Sequence, residues 1–238
     1  MKVYLNKVSG YASAITTMYQ SKRSWTRQLE ADIYEMENVA TTREGKILES
    51  VGEERAFLKE LEKVCKWGKK HITLLRFIDI EFSVEGLHRG GQDDFDSHAK
   101  RLENRIVRSS TRLAEFGNEK SDYYKDKILT LDEACEVLHK NFPKTLCKDG
   151  VTYAKTVNGY IREDLADDKD VKRGLYMLSI PSNFTAKCNI TELAHIIKMR
   201  DKYSTANPEV QQLIESLLEQ LEATCPLFTR EFFYEIDN

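Results

Sequence analysis

The sequence has no run of about 18 apolar residues, the length a membrane-spanning helix needs. Its opening stretch MKVYLNKVSG lacks the apolar core of a cleaved export signal. Neither membrane insertion nor export is therefore expected, and the cytoplasm is the expected location. Cysteine is scarce and unpaired in pattern. Cys65, Cys135, Cys147, Cys188 and Cys225 are odd in number and widely spaced, with no C-x-x-C pair and no His/Cys cluster at zinc-ligand spacing. They read as reduced thiols, mostly buried as small hydrophobes, and no metal site is expected. An excess of one charge is also missing: the net charge is −3, with 32% charged residues of both signs interspersed. That balance argues against a protein that coats nucleic acid through its phosphates, so the basic residues act locally if they act at all. There is no convincing Ser/His/Asp or Cys/His constellation for nucleophilic catalysis, and no repeat or low-complexity linker.

What is present fits one α+β domain over residues 1–238, with an antiparallel sheet flanked by long helices. A first strand is expected at Lys2 to Lys7. Glu53 to Trp67 places Phe57, Leu58, Leu61, Val64 and Cys65 at helical spacing, an amphipathic helix. From Ile78 to Val84 the pattern changes to strict alternation, the period of a half-buried strand, which Gly86 is expected to end. His88 to Arg105 is polar and weakly periodic and reads as a solvated helix; Gly90-Gly91 predicts a break before any helix begins near Asp94. Thr130-Leu-Asp-Glu133 has a capping-box pattern ahead of Ala134, Val137 and Leu138. Asn189-Ile-Thr-Glu192 resembles a second cap, leading into Leu193, Ile196 and Ile197. Asn207-Pro208 opens a third helix, with Val210, Leu213, Ile214, Leu217, Leu218 and Leu221 as its buried stripe, stopping before Cys225-Pro226. Loops are expected at Asn38 to Lys46 and Asp164 to Asp170.

One short stretch carries chemistry on its face. Ile106 to Leu113 reads IVRSSTRL, setting Arg108 and Arg112 around two serines and a threonine. A guanidinium supplies paired charge-assisted donors and hydroxyls fill the remaining lone pairs, which is what holding a phosphate monoester requires. The alternative is a plain solvated loop or helix end.

The segment from Lys169 to Pro226 resembles the C-terminal half of the flavin-dependent thymidylate synthases. Arg173, Phe184, Asn189, Leu193, His195, Arg200, Ala206, Glu209 and Val210 follow the family's order at near-fixed spacing. Upstream, His71 and Thr73 followed by the strand ending FSVEG resemble the family's G-H-x-T/S-P-x-E-H lead into its strand, although Leu74, Arg76 and Phe77 replace the proline, glutamate and second histidine. Ser110-Thr111-Arg112-Leu113 resembles the family's S-T/G-R-Y. The family hallmark, Arg-His-Arg seven residues before that serine, corresponds to Lys100-Arg101-Leu102, or to Glu103-Asn104-Arg105 if the loop is shorter. Both alignments depart from the hallmark, and the choice between them stays open.

The resemblance implies reductive methylation of dUMP to dTMP, with methylenetetrahydrofolate as carbon donor, FAD as cofactor and NADPH as reductant, in a homotetramer with shared active sites. Such chemistry needs no protein nucleophile, because the flavin carries it while the protein orients rings and neutralises charge. The resemblance assigns Ser110 and Arg112 to the substrate phosphate, and Arg173 and Arg200 to the nucleotide as substrate-binding and catalytic residues. It assigns His71, Lys100, Arg101, Asn189 and His195 to FAD. Other readings stand beside these: a buried ion pair for Arg200, a helix cap for Asn189, a core histidine for His195 and a solvated face for Lys100 and Arg101. At the level of the whole protein, the alternatives are a scaffold that binds nucleotide without flavin, or C5 modification of another pyrimidine nucleotide.

Overall fold

The computed structural model describes residues 1–48, 52–96, 105–110, 119–168, 175–200 and 204–234. In chain order its elements are β1 (Lys2–Ser9), α1 (Tyr11–Ser21), α2 (Arg27–Ala40), α3 (Glu53–Gly68), β2 (Asp79–His88), α4 (Arg89–Phe95), β3 (Arg105–Arg108), α5 (Leu131–Leu138), β4 (Thr145–Lys148), β5 (Val151–Thr156), β6 (Gly159–Arg162), β7 (Pro181–Asn189), α6 (Ile190–Arg200), α7 (Pro208–Thr224) and α8 (Pro226–Thr229). A four-stranded sheet has the order β1-β2-β7-β3, and a three-stranded sheet the order β4-β5-β6. The chain divides into two compact units. The larger comprises Lys2–Val84, Asp94–Val107 and Thr185–Asn238; the smaller comprises Met1, Glu85–Asp93 and Arg108–Phe184.

In the larger unit the expected stripes are buried. Phe57, Leu61, Val64 and Cys65 of α3 and Val210, Leu213, Ile214, Leu217 and Leu221 of α7 are all core residues, with Leu58 and Leu218 half-buried at the margins. Tyr11 at the start of α1 stacks on Phe228 with ring centres 5.7 Å apart and meets Phe57 edge-on at 6.4 Å. The turn into α1 requires Gly10: its φ is +91°, and a Cβ there would lie 2.0 Å from the Phe77 carbonyl oxygen. Strands β2 and β7 run antiparallel, since Asp79 pairs with Lys187 at 3.1 Å while Ser83 bonds Thr185 at 2.9 Å. Gln220 of α7 satisfies the edge strand β1, accepting from Leu5 N–H at 2.7 Å and donating to the Val3 carbonyl at 3.0 Å.

Several expectations need correction. Strand β1 continues to Ser9, and the stretch expected as a loop at Asn38 to Lys46 begins as the last turn of α2, followed by a bridge between Thr41 and Ile47. Gly86 does not end β2, which runs on to His88. Instead the glycine, at φ +79°, inserts one extra residue, so that burial passes from Ile80, Phe82 and Val84 to Leu87; its N–H donates to Asn183 Oδ1 at 2.9 Å. Gly90 and Gly91 do not break the chain either, since α4 contains both. They are glycines because a ring lies against them: a Cβ on Gly91 would stand 2.6 Å from His88 Cε1. Nor is the described part of that segment solvated, because His88, Gln92 and Phe95 are buried.

In the smaller unit the capping box at Thr130 forms as expected. Glu133 N–H donates to Thr130 Oγ1 at 3.3 Å, and Thr130 N–H donates to Glu133 Oε2 at 2.6 Å. The following apolar positions are not core, however: Val137 and Leu138 are exposed, and Cys135 is the buried residue of α5. The three-stranded antiparallel sheet has no counterpart among the expected elements. Its first hairpin turns through Asp149 and Gly150, both at positive φ (53° and 76°), the backbone a tight primed turn demands.

Candidate functional site

Of the IVRSSTRL stretch, Arg108 at the end of β3 and Ser109 after it belong to a polar cluster in the smaller unit, and Thr111 to Leu113 lie outside the described residues. The backbone fixes Ser109 first: its N–H donates to the Asn183 carbonyl at 2.8 Å, and its Oγ accepts from Asn183 N–H at 3.0 Å. Ser109 Oγ lies 3.2 Å from Ser182 Oγ, and Ser182 donates its one proton to Gln92 Oε1 at 2.8 Å. The proton of Ser109 therefore points to Ser182, giving a directed chain Ser109 to Ser182 to Gln92. Arg89 Nη1 donates to the same Gln92 oxygen at 3.1 Å. With two donors on Oε1 the amide has one orientation, and its nitrogen faces the other way. Gln92 is only 1% exposed, and among the described residues its Nε2 meets no acceptor. A buried donor left unmade costs about 1–3 kcal/mol, so this one marks a place where an acceptor fits.

Positive charge lies beside this chain. Arg108 Nη1 donates to Asp93 Oδ1 at 2.7 Å, and Arg89 Nε stands 4.0 Å from the same oxygen. Half-buried Ser110 lies two residues beyond the end of β3. Beneath Arg89, the buried His88 ring stacks on Tyr123 at 6.0 Å and meets Tyr124 edge-on at 4.8 Å. A separate pocket of about 580 Å³ is lined by Gly86, Lys120, Ser121, Asp122, Glu133 and Pro181, among others, and by none of the residues expected in the site.

Of those expected residues, Ser110 lies in the smaller unit and His71, Asn189, His195 and Arg200 in the larger. Arg112, Arg173, Lys100 and Arg101 lie outside the described residues. Asn189 caps α6, its Oδ1 accepting from Thr191 Oγ1 at 2.6 Å and from Glu192 N–H at 3.0 Å. His195 is half-buried on the same helix. Arg200 closes that helix with its guanidinium held by Asp94. Nε and Nη2 donate to the Asp94 carbonyl at 3.2 and 3.1 Å, and Nη2 lies 3.4 Å from its carboxylate. His71 is exposed at the entry to the turn Ile72–Phe77, its ring 5.4 Å from that of Trp67, whose indole also carries Lys22 Nζ at 4.1 Å.

A protein-family model described as "Thymidylate synthase complementing protein" matches residues 6–227. The chain belongs to this family. Among solved structures it is similar to the flavin-dependent thymidylate synthase ThyX from Helicobacter pylori complexed with FAD and dUMP, at 14% identity and a TM-score of 0.53, covering 98% of each chain. A second structure of the H. pylori enzyme, also with FAD and dUMP, matches at 12% identity and a TM-score of 0.56, covering 98% of this chain and 99% of that one. No curated protein matches the sequence. At these identities the structures establish the fold, a mixed helical and antiparallel-sheet thymidylate synthase scaffold spanning nearly the whole chain.

Arg89, Gln92, Asp93 and Ser182 are members of the polar cluster that sequence reasoning did not single out, whereas Ser109 is one of the two serines of the IVRSSTRL stretch. The first three sit in the segment read as a solvated helix. Their polarity was visible, but burial and partners were not, because Gln92 meets Ser182 across 90 positions of sequence.

Proposed function

We propose that this member of the thymidylate synthase complementing protein family catalyses the reductive methylation of dUMP to dTMP, with methylenetetrahydrofolate, FAD and NADPH. The observation that carries the reading is the Ser109–Ser182–Gln92–Arg89 cluster beside Arg108 and Ser110. It offers charge, hydroxyls and one buried amide donor that meets no acceptor among the described residues, the donor set a nucleotide monophosphate requires. In this reading Ser110 and Arg112 hold the phosphate, while Arg173 and Arg200 neutralise charge on the bound nucleotide. Arg200 comes already oriented by Asp94, its side chain only 16% exposed. The family match runs through both compact units, which supports treating them as one functional domain.

The larger unit offers donors that fit FAD. The exposed His71 ring on Trp67, with the Lys22 ammonium over the same indole, suits a planar anionic ligand. His195, Asn189, Lys100 and Arg101 complete the proposed set, with Asn189 already committing its Oδ1 to the helix cap. FAD, when bound, supplies the hydride chemistry; the side chains bind, orient and neutralise. A cytoplasmic homotetramer with shared sites completes the proposal.

The test is an absorbance spectrum of the purified protein before and after adding FAD and removing the excess, followed by titration with dUMP. A flavin band perturbed by dUMP is expected. If dUMP binds and no flavin does, the protein is a nucleotide-binding scaffold without the chemistry; if neither binds, the reading is wrong.

A further inference from the structure

The three-stranded sheet of the smaller unit ends on one side at β4, whose residues Thr145–Lys148 are all exposed. Lys155 N–H donates to the Lys144 carbonyl at 2.8 Å, and the turn at Asp149 and Gly150 sets Lys148 opposite Val151. Backbone direction alternates along an antiparallel ladder. Lys144, Leu146 and Lys148 therefore turn their N–H and C=O groups towards β5, and Thr145 and Cys147 turn theirs outward. Among the described residues no strand pairs with that outer row. The chain is fixed where it enters β4, since Tyr160 Oη donates to the Pro143 carbonyl at 2.8 Å.

Side chains alternate as well, so Lys144, Leu146 and Lys148 share one face, with Leu146 opposite Tyr153. Leu146 is 43% exposed, and Phe142 just before the strand is 40% exposed. On the same face Lys155 and Arg162 already have carboxylates, Asp132 at 2.7 Å and Asp164 at 2.8 Å. Lys144 and Lys148 have none among the described residues, and the chain from Val137 to Lys148 contains no acid at all. Lysine on an open edge guards it against a second copy. That guard operates here, because an antiparallel pair of β4 strands centred on Leu146 would set each Lys144 against a Lys148. A guard alone needs no apolar side chain between its charges. The lysines that repel a copy also attract a strand with acids at the matching positions.

We propose that β4 is a docking edge for an extended acidic segment of a partner protein, which adds antiparallel as a further strand. The outward groups of Thr145 and Cys147 bond its backbone, Leu146 meets an apolar side chain, and Lys144 and Lys148 meet carboxylates at its positions i and i+4. This inference is independent of the nucleotide reading.

The probe is a capped synthetic peptide, Thr-Glu-Thr-Val-Thr-Glu-Thr, compared with its counterpart carrying lysine for glutamate. Each is titrated into the full chain while the amide signals of Thr145 and Cys147 are followed by NMR. The acidic peptide is expected to shift both amides and to bind about tenfold more tightly than the basic one, the scale of two exposed charge pairs. Lys144→Glu/Lys148→Glu should reverse that order. Cys147→Pro removes an outward N–H at an edge position where proline is tolerated, and should abolish binding. A thermal melt establishes that it is folded, and Thr145→Pro takes its place if it is not. No shift with the acidic peptide, or equal affinity for the two peptides, overturns the inference. So does a smaller sedimenting species in Cys147→Pro than in the wild-type chain, which would make β4 an interface between copies. Tighter binding of a single-stranded oligothymidylate at the same amides would overturn it too, making the edge a nucleic-acid surface.

Discussion

Lys120 directs its ammonium at both carboxylate oxygens of Glu133, 3.0 Å from Oε1 and 2.8 Å from Oε2, and spends its third proton on the Ile128 carbonyl at 2.7 Å. The side chain of Lys120 is 4% exposed, and these bonds give each of its three protons an acceptor. Glu133 also closes the capping box of α5, and the pair thus ties the segment before the helix to its first turn.

The Lys120 hydrogen bond, followed by the Thr130 N–H, draws the Glu133 carboxyl down from 4.5 to about 2. A carboxyl whose folded value lies below its unfolded one stabilises the fold above the unfolded value, and loses that contribution as pH falls through the folded value. The window is therefore from 4.5 down to about 2. Glu133→Gln is expected to lower the melting temperature near neutrality, with the gap to wild type closing across that window. Melts from about pH 7 to about pH 2.5 check it; a gap that stays constant with pH would mean the contact is merely steric.

The glycine pair in α4 gives a contrast within one turn. A methyl on Gly91 would stand 2.6 Å from His88 Cε1 and 3.0 Å from both ring nitrogens, with the ring held by Tyr123 and Tyr124. A methyl on Gly90 would reach His88 Cδ2 and Leu178 Cβ at 3.4 Å, close but relievable. Alanine gains roughly 0.5–1 kcal/mol over glycine inside a helix, whereas overpacking costs about 1–3 kcal/mol. Gly91→Ala is expected to destabilise by about 1–2 kcal/mol net and Gly90→Ala to be near neutral. Denaturant titrations of the two variants decide it, and equal effects would remove His88 as the cause.

The same helix explains what could and could not be read in advance. The stripes of α3 and α7 and the caps at Thr130, Asn189 and Asn207 were legible because each is local, a spacing or a side chain bonding its own backbone within three residues. The cluster around Gln92 was not, since polar residues look solvated until the fold brings their partners, here Ser182 and Ser109. Gly90-Gly91 carried the right residues with the wrong inference: glycine signals either a broken helix or a close neighbour, and only the His88 ring distinguishes the two. Helix α1 escaped notice because much of its buried surface is Ala12, Ala14 and Thr16, too weakly apolar to mark a stripe. Arg200 was legible as a charge that needed a partner, but Asp94, 106 positions earlier, could not be named from spacing.

Gln220 is expected to matter more than its half-buried position on α7 suggests. Its amide serves the open edge of β1 in both senses, taking the Leu5 N–H at 2.7 Å and giving to the Val3 carbonyl at 3.0 Å. Gln220→Ala leaves both backbone groups without this partner, with a cost of roughly 1–3 kcal/mol and early exchange of the Leu5 amide. Gln220→Glu retains the acceptor for Leu5 and loses the donor to Val3, so it should fall between. Hydrogen exchange resolved at Leu5 is the direct readout; unchanged protection in the alanine variant would show that the edge needs no helix partner.

Arg112 tests the reading of the IVRSSTRL stretch directly. If Ser110 and Arg112 hold the phosphate of dUMP, removing the guanidinium by Arg112→Ala should weaken dUMP binding by about 1.5–3 kcal/mol, the scale of a hydrogen bond to a charged group. Affinity for deoxyuridine, which has no phosphate, should hardly change. Arg112→Lys keeps the charge and loses the fork, so it should recover part of the loss and no more. The pattern across the two ligands is the discriminating result: an equal loss for dUMP and deoxyuridine would point to a disturbed fold, and unchanged dUMP affinity would remove the phosphate assignment from this stretch altogether.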